Sequence, residues 1–527
     1  MMKKVIKKLL AALLAVAMVC AMAIPAFAYN PGETKEDLNT KHDYGAFQIF
    51  KGVISKDNPT LSGVDWGQNI TEPDIFLANL KNDPTIGEKF ETAATAQEVL
   101  AVISQWSNSD DNSIAFARVV CHYLYPDANA DPKPVITDHT GGINIPKSGY
   151  YLIVDTSTFS DDDFYHAYNS FFLLNVPQTP YVVLVNHKVV KPTVEKEVYD
   201  NNDIGSTGGW GSSADHAINE PFQFRLIAKL PASENNGRAY DYYKKYTVCF
   251  NDTLSDGITF DKLDKVEIAN GDGSTPQVIN NYTLDPNNPQ SSFKLSIDDV
   301  KTCVPDLNKG ATITVTYTAH LNEKAYVNIA DGGTDNKNRV YLEYSNNPRI
   351  STSLDHTPES EVCVYTYQLN NTKYRDEDKP GNELEGAGFR LYSDEACNNE
   401  IKLKKNNDGT YSRDFSTGAS GVEMISDNKG QFNVKGLDAG TYYLKETTPP
   451  KDYNACADKE IVISATHDVN HVSLSGNLST TIINKKDGGI TLPSTGGIGT
   501  TIFYVVGGGL MVAAIVLLVT KKRMENK

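Results

Sequence analysis

Few residues of this chain are arranged for chemistry in the patterns that mark enzymes. The ten histidines are scattered. There is no Gly-x-Ser-x-Gly, no His-Glu-x-x-His and no Cys/His block, so no hydrolase is signalled. Apart from Cys20 in the N-terminal apolar run, the cysteines are Cys121, Cys249, Cys303, Cys363, Cys397 and Cys456. None forms a Cys-x-x-Cys pair, which leaves zinc ribbons and thioredoxin-like sites unsupported. Cys121 with Gln105 stands in the wrong order for a thioester and reads as a core cysteine. Asp161, Asp162 and Asp163 could hold calcium, but such a run is more often a solvated loop, and neither a metal nor a cofactor is expected. What remains are amines, carboxyls and carboxamides in or beside strand-like segments. A lysine amine is nucleophilic only when neutral, and burial favours that form. A buried carboxyl keeps its proton and can donate it.

The elements that must position these groups read mostly as strands. The chain has 527 residues, 40% hydrophobic and 22% charged, with 28 Tyr, an ordinary globular composition for several domains. Its formal net charge of −17 offers no basic field for a phosphate backbone, so nucleic acid is excluded as a partner. Residues 1–28 read as a secretory signal: Lys3, Lys4, Lys7 and Lys8, then an apolar run, then Ala26-Phe27-Ala28. Residues 29–190 form a mixed first block, with strand-like Tyr44 to Val53, helical spacing over Glu88 to Trp106 and Asn112 to Leu124, and closing strands to Val185. Residues 191–360 and 361–487 carry short alternating strands between polar turns, which predicts tandem Ig-like β-sandwich domains and an all-β-dominated fold with some helix at the N-terminal end. A C-terminal region, 488–527, holds an apolar run from Ile498 to Thr520, long enough for a transmembrane segment, followed by Lys521, Lys522 and Arg523.

Just before that run stands Leu492-Pro493-Ser494-Thr495-Gly496. The pentapeptide, apolar run and basic tail together resemble the sorting signal of Gram-positive cell-wall proteins. The resemblance implies a sortase whose cysteine attacks the Thr495 carbonyl and releases the Gly496 side, and peptidoglycan attachment at the extracellular surface.

The third block shows Thr372-Lys373-Tyr374, Leu384 to Tyr392, Gly440 to Thr447 and Ile483-Asn484-Lys485-Lys486. It resembles the B-type repeat of collagen adhesins, found also in Gram-positive pilins. The family joins the early Lys to the late Asn in an isopeptide bond promoted by the Glu. Carried over, these are Lys373, Asn484 and Glu446. The second block resembles the isopeptide-forming domain of pilus backbone subunits, where the acid is usually Asp. There the match suggests Lys196, Asp252 and Asn346. Val340, Leu342 and Tyr344 share one strand face, and Asn346 continues it; Asn347 is the second choice. Each bond forms once, with no turnover, so the chain is not read as an enzyme. Closing the 111-residue loop from Lys373 to Asn484 would restrict the unfolded chain by about 4 to 5 kcal/mol, by analogy with disulfides. The family resemblance also suggests a Cys397–Cys456 disulfide, in keeping with an extracellular setting.

Where pilus backbone subunits place the lysine that accepts the next subunit, this chain has Lys188, in Val185-Asn186-His187-Lys188 rather than a Tyr-Pro-Lys-Asn context; Lys191 is the neighbouring competitor. Lys51 and Asn186, with Asp155 as acid, could form a third cross-link. The resemblance thus implies the backbone subunit of a sortase-assembled pilus, its partners being sortase, further copies of itself and accessory pilins. The alternative is a wall-anchored monomeric adhesin or accessory pilin that binds a host or neighbour-cell ligand.

Overall fold

The computed structural model describes residues 42–525 except 56–57, 108–109, 128, 139–141, 160–164, 177–180, 185–188, 202–207, 235–236, 287–290, 328–335, 477 and 487–498. The fold is dominated by antiparallel sheet, in agreement with the alternating pattern, and among the described residues four hydrophobic cores are distributed over three successive units, two of them on opposite faces of the first unit's sheet.

The first is a sheet with helices on one face. Tyr44–Ser55 pairs with Asn58–Trp66, Ile136–Asp138 and Gly149–Asp155, and the last strand pairs with Phe172–Val176. Phe47, Ile49 and Leu152 meet the apolar faces of helices Pro73–Asn82, Ala96–Ile103 and Asp111–Leu124. Sequence periodicity anticipates the last two helices. Thr95 caps Ala96–Ile103 through a reciprocal capping box with Glu98, and Asp110 caps Asp111–Leu124. These caps end the long helical expectation over 88–106 as a 3₁₀ turn at Gly87–Phe90 and a separate helix. The helix Pro73–Asn82, with proline in its first turn, is an addition to the expected pattern. Cys121 is fully buried in this core, and burial pushes its thiol up.

The middle core lies between two sheets. One runs Gly209–Gly211, Thr193–Asp200, Pro221–Leu230, Ala311–Leu321, Ile258–Asn270 and Gln277–Val278. The other runs Ser213–Asp215, Ser360–Tyr365, Lys337–Ser345, Val248–Leu254, Phe293–Ile297 and Thr283–Asp285. Strict alternation, as in Pro221–Leu230 with every second residue buried, sends one face of each sheet into a shared interior. The chain leaves this domain along Ser360–Tyr365 and enters the third with Tyr367–Arg375, Thr366 lying between them. The boundary expected at 360/361 therefore cuts the start of a strand of the middle sheet.

The third domain is a smaller sandwich. Tyr367–Arg375 pairs in parallel with Ser479–Asn484 in one sheet. Gly388–Tyr392, Gly440–Thr448 and Lys459–His467 form the other. The expected C-terminal span coincides with the helix Gly499–Glu525. Among the described residues, however, no helix is long and apolar enough to cross a membrane, so the transmembrane expectation is not supported.

Candidate functional site

Two lysines sit in the cores rather than on the surface. Lys373 and Lys196 are both essentially inaccessible, with fractional exposures of 0% and 2%. Each is placed by strand alternation: Leu369, Asn371 and Lys373 face the third core, and Lys196, Val198 and Asp200 are the buried positions of Thr193–Asp200.

In the third domain the parallel pairing sets Arg375 opposite Asn484, so Lys373 and Asn484 turn inward from adjacent strands. Lys373 Nζ donates to Asn484 Oδ1 at 2.5 Å. Asn484 Nδ2 donates to Glu446 Oε1 at 2.8 Å, and Lys373 Nζ stands 3.2 Å from the same oxygen. The backbone N–H of Cys456 donates to Glu446 Oε2 at 2.7 Å. One carboxyl thus touches both the amine and the carboxamide. Phe389 lies under the amine, 5.3 Å from ring centroid to Nζ, and stacks on Phe432. Burial lowers the pKa of Lys373, against the opposing pull of Cys456 and Glu446, which favours the neutral, nucleophilic amine.

In the middle domain Lys196 Nζ donates to Asp252 Oδ2. It also donates to Tyr317 Oη at 3.2 Å. Burial brings Lys196 down to about 8, against the attraction of Asp252. Burial also raises the pKa of Asp252, against the attraction of Lys196. The expected partner Asn346 is not here. It lies past the end of Lys337–Ser345, where Ser353 donates to its Oδ1 at 2.8 Å. The register pairs Asp252 with Val340 and Val248 with Tyr344. Asn346 is therefore displaced from Asp252 by six residues of strand, about 20 Å. Asn347 is displaced further and accepts from the Arg349 backbone. The asparagine at the site is Asn338, fully buried and opposite Leu254. Its Nδ2 donates to Tyr317 Oη at 2.5 Å, and its Oδ1 is buried without a hydrogen-bond partner. The Tyr317 hydroxyl also donates to Asp252 Oδ1 at 3.3 Å, so it touches amine, acid and carboxamide together. Asn338 was within reach of sequence reasoning, since it shares the inward face of Val340, Leu342 and Tyr344. Tyr317 carried no distinguishing sequence signal.

Lys51 and Asp155, expected to take part in a third cross-link, are not brought together. Lys51 is exposed and paired with Asp65 at 3.1 Å, while Asp155 lies opposite Tyr44, seven residues along the same strand. Asp155 instead bonds His42 at 2.6 Å, Ser157 and the backbone of Asn169. Burial would raise its pKa, but the His42 contact and the other hydrogen bonds hold it below the usual carboxylate range, so it is an ionised anchor rather than a proton donor. Cys397 and Cys456 are free thiols here, in place of the expected disulfide. The Cys397 thiol is directed to Asp458 at 3.7 Å. Cys456 lies beside the Lys373–Glu446 site, with its thiol pushed up to about 11 by burial. Lys191 lies with Nζ 5.1 Å over the Tyr165 ring. Lys188, Asn186, Asp161 to Asp163 and Leu492 to Gly496 lie outside the described residues.

Two family models match the chain. Residues 370–477 match the SpaA prealbumin-like fold domain. Residues 484–526 match the LPXTG cell wall anchor motif, so the chain carries the anchor signal of a Gram-positive cell-wall surface protein. Among solved structures, the pilus 2b backbone protein of group B streptococcus is 23% identical, covering 52% of this chain and 96% of that one, with a TM-score of 0.39. The full-length major pilin SpaD of Corynebacterium diphtheriae is 19% identical over 69% of this chain and 85% of its own, TM-score 0.42. The T6 backbone pilin of serotype M6 Streptococcus pyogenes is 15% identical over 85% and 96%, TM-score 0.46. No curated protein matches the chain.

Proposed function

We propose that this chain is a structural subunit of a covalent surface pilus. A sortase joins Thr495 of one copy to a lysine of the next, Lys188 being favoured and Lys191 the competitor. Two internal isopeptide bonds, Lys373–Asn484 and Lys196–Asn338, lock the domains. The observation that carries this reading is the contact of Lys373, Glu446 and Asn484, which brings an amine, a carboxyl and a carboxamide together in the core.

The chemistry follows from those contacts. Neutral Lys373 attacks Cγ of Asn484; an Nζ–Cγ bond forms and the Cγ–Nδ2 bond breaks. Glu446 receives a proton from the attacking amine and delivers it to Nδ2, which leaves as ammonia. Nothing is oxidised and no cofactor is consumed. Asp252 does the same for Lys196 and Asn338, with Tyr317 holding the carboxamide. Each bond joins a strand near the start of its domain to one near its end, so tension along a fibre would pass through the covalent link rather than unzip the sheet.

Two measurements test this. The intact mass of the secreted protein should fall short of the sequence mass by two molecules of ammonia; an unreduced mass would overturn the cross-link chemistry. A denaturing gel of cell-wall extracts should show a high-mass ladder that collapses in Lys188→Ala. A ladder that survives would move the acceptor to Lys191. A single wall-linked band would favour the monomeric adhesin.

A further inference from the structure

A second group of buried ionisable residues lies where the middle and third domains meet. Asp200 ends the strand Thr193–Asp200, Asp215 ends Ser213–Asp215, and His467 ends Lys459–His467 of the third domain. One ligand atom from each lies within 4.8 Å of the others. Asp200 and Asp215 have no exposed surface, and the His467 side chain is 6% exposed.

Isolated buried carboxylates are costly, and two so close together repel unless something positive lies between them. Asp200 Oδ2 accepts from the Asp215 backbone N–H at 3.3 Å and faces His467 Nε2 at 3.7 Å. Both carboxylate oxygens of Asp215 are buried, and the side chain that faces them is another acid, Asp438. The ring of His467 is oriented by its other nitrogen, Nδ1, which bonds the Ser213 hydroxyl at 2.9 Å, and by packing on Tyr365. This is how an outer partner fixes a metal-ligating imidazole and aims its second nitrogen.

We propose that Asp200, Asp215 and His467 form a site for one divalent first-row cation, Zn²⁺ or Mn²⁺, that ties the middle domain to the third. Two carboxylates balance the dication. The imidazole nitrogen disfavours Ca²⁺ and Mg²⁺, which take oxygen ligands. The position suits a mechanical tie, because Ser213–Asp215 pairs in parallel with Cys363–Tyr365, the last strand before the third domain. A proton is the competing occupant. Asp438, at the same junction, is pushed well above the usual carboxylate range by burial and by the Asp215 carboxylate facing it, so an Asp438–Asp215 acid pair could close the cluster without metal. The proposal is independent of the pilus reading.

The test uses the full secreted chain, stripped with chelator and titrated with ZnCl₂ and, separately, MnCl₂. One equivalent of at least one cation should bind saturably and raise the melting temperature. His467→Gln should weaken that affinity by roughly tenfold or more, and Asp215→Asn should do the same. If Asp215→Asn fails to fold, His467→Gln decides, checked by a change in the absorption of the Co²⁺-loaded protein. No saturable binding of either cation would overturn the proposal in favour of the proton-bridged pair. Binding unchanged in the variants would overturn it in favour of adventitious surface carboxylates.

Discussion

The middle and third domains bury the same three kinds of group but connect them differently. In the third, Glu446 reaches both partners itself, and Lys373 already touches the Asn484 carbonyl oxygen. In the middle domain the shorter Asp252 clamps Lys196 and meets Asn338 only through the Tyr317 hydroxyl. One additional methylene in the acid replaces an entire intermediary side chain. On the proposed chemistry, the Glu site is therefore poised for attack, whereas the Asp site starts from a Lys196–Asp252 pair that must first pass its proton.

The largest effect expected from this contrast is at the longer acid. Glu446→Gln should abolish the third-domain bond, leaving the protein heavier by one ammonia. Losing the loop constraint should cost about 4 to 5 kcal/mol in that domain, read as a separate, earlier thermal transition. Retention of the bond would remove Glu446 from the chemistry. Asn338→Ala should likewise restore one ammonia and open the middle domain, but it keeps the Lys196–Asp252 pair, so its stability loss should be the smaller. Asn346→Ala should leave the mass deficit intact. If Asn346→Ala rather than Asn338→Ala prevents the bond, the register argument fails.

That pair of variants also shows where sequence reasoning reached and where it stopped. The sandwich domains were legible because alternation in strands such as Pro221–Leu230 is strict. The Lys373, Glu446 and Asn484 set was legible because each lies inside a recognisable segment. The middle asparagine was half legible. Alternation along Lys337–Ser345 defines a face that contains Asn338 and, carried one residue past the strand's end, Asn346, and a period of two gives no direction along the strand. Only the register against Val248–Leu254 shows that Asp252 lies near the start of that face. Tyr317 could not be found at all. A tyrosine in a Thr-rich strand is ordinary, and its role comes from long-range pairing of Pro221–Leu230 and Ile258–Asn270 with Ala311–Leu321.

Tyr317→Phe sharpens the comparison further. Removing the hydroxyl leaves the ring packed against Phe224 and Phe260 but cuts the path from Asp252 to Asn338. A hydrogen bond to a charged partner contributes about 1.5 to 3 kcal/mol, so maturation of the middle domain should slow roughly ten- to a hundredfold. The third-domain bond should form at its normal rate. A time course of intact mass after synthesis separates the two, one ammonia lost promptly and the other late. Equal rates would mean that Asp252 reaches Asn338 unaided.

The smallest effect is the pH response of the uncrosslinked middle domain, measured in Asn338→Ala. Lys196 titrates near 8 when folded, chiefly because it is buried, and near 10.4 when unfolded. Between those values the unfolded chain binds more protons than the folded one, so stability rises with pH across that window. It is lost again as pH falls through about 8. The raised pKa of Asp252 acts at lower pH, where a carboxyl that prefers its proton adds stability on the acid side and loses it as pH rises. The variant should therefore show a shallow stability minimum between the two titrations, and a cross-linked wild type should not, because its Lys196 nitrogen would be an amide with no proton to gain. A flat profile in Asn338→Ala would mean that Lys196 and Asp252 remain a fixed ion pair throughout, and that the middle site does not pass through the neutral pair its chemistry requires.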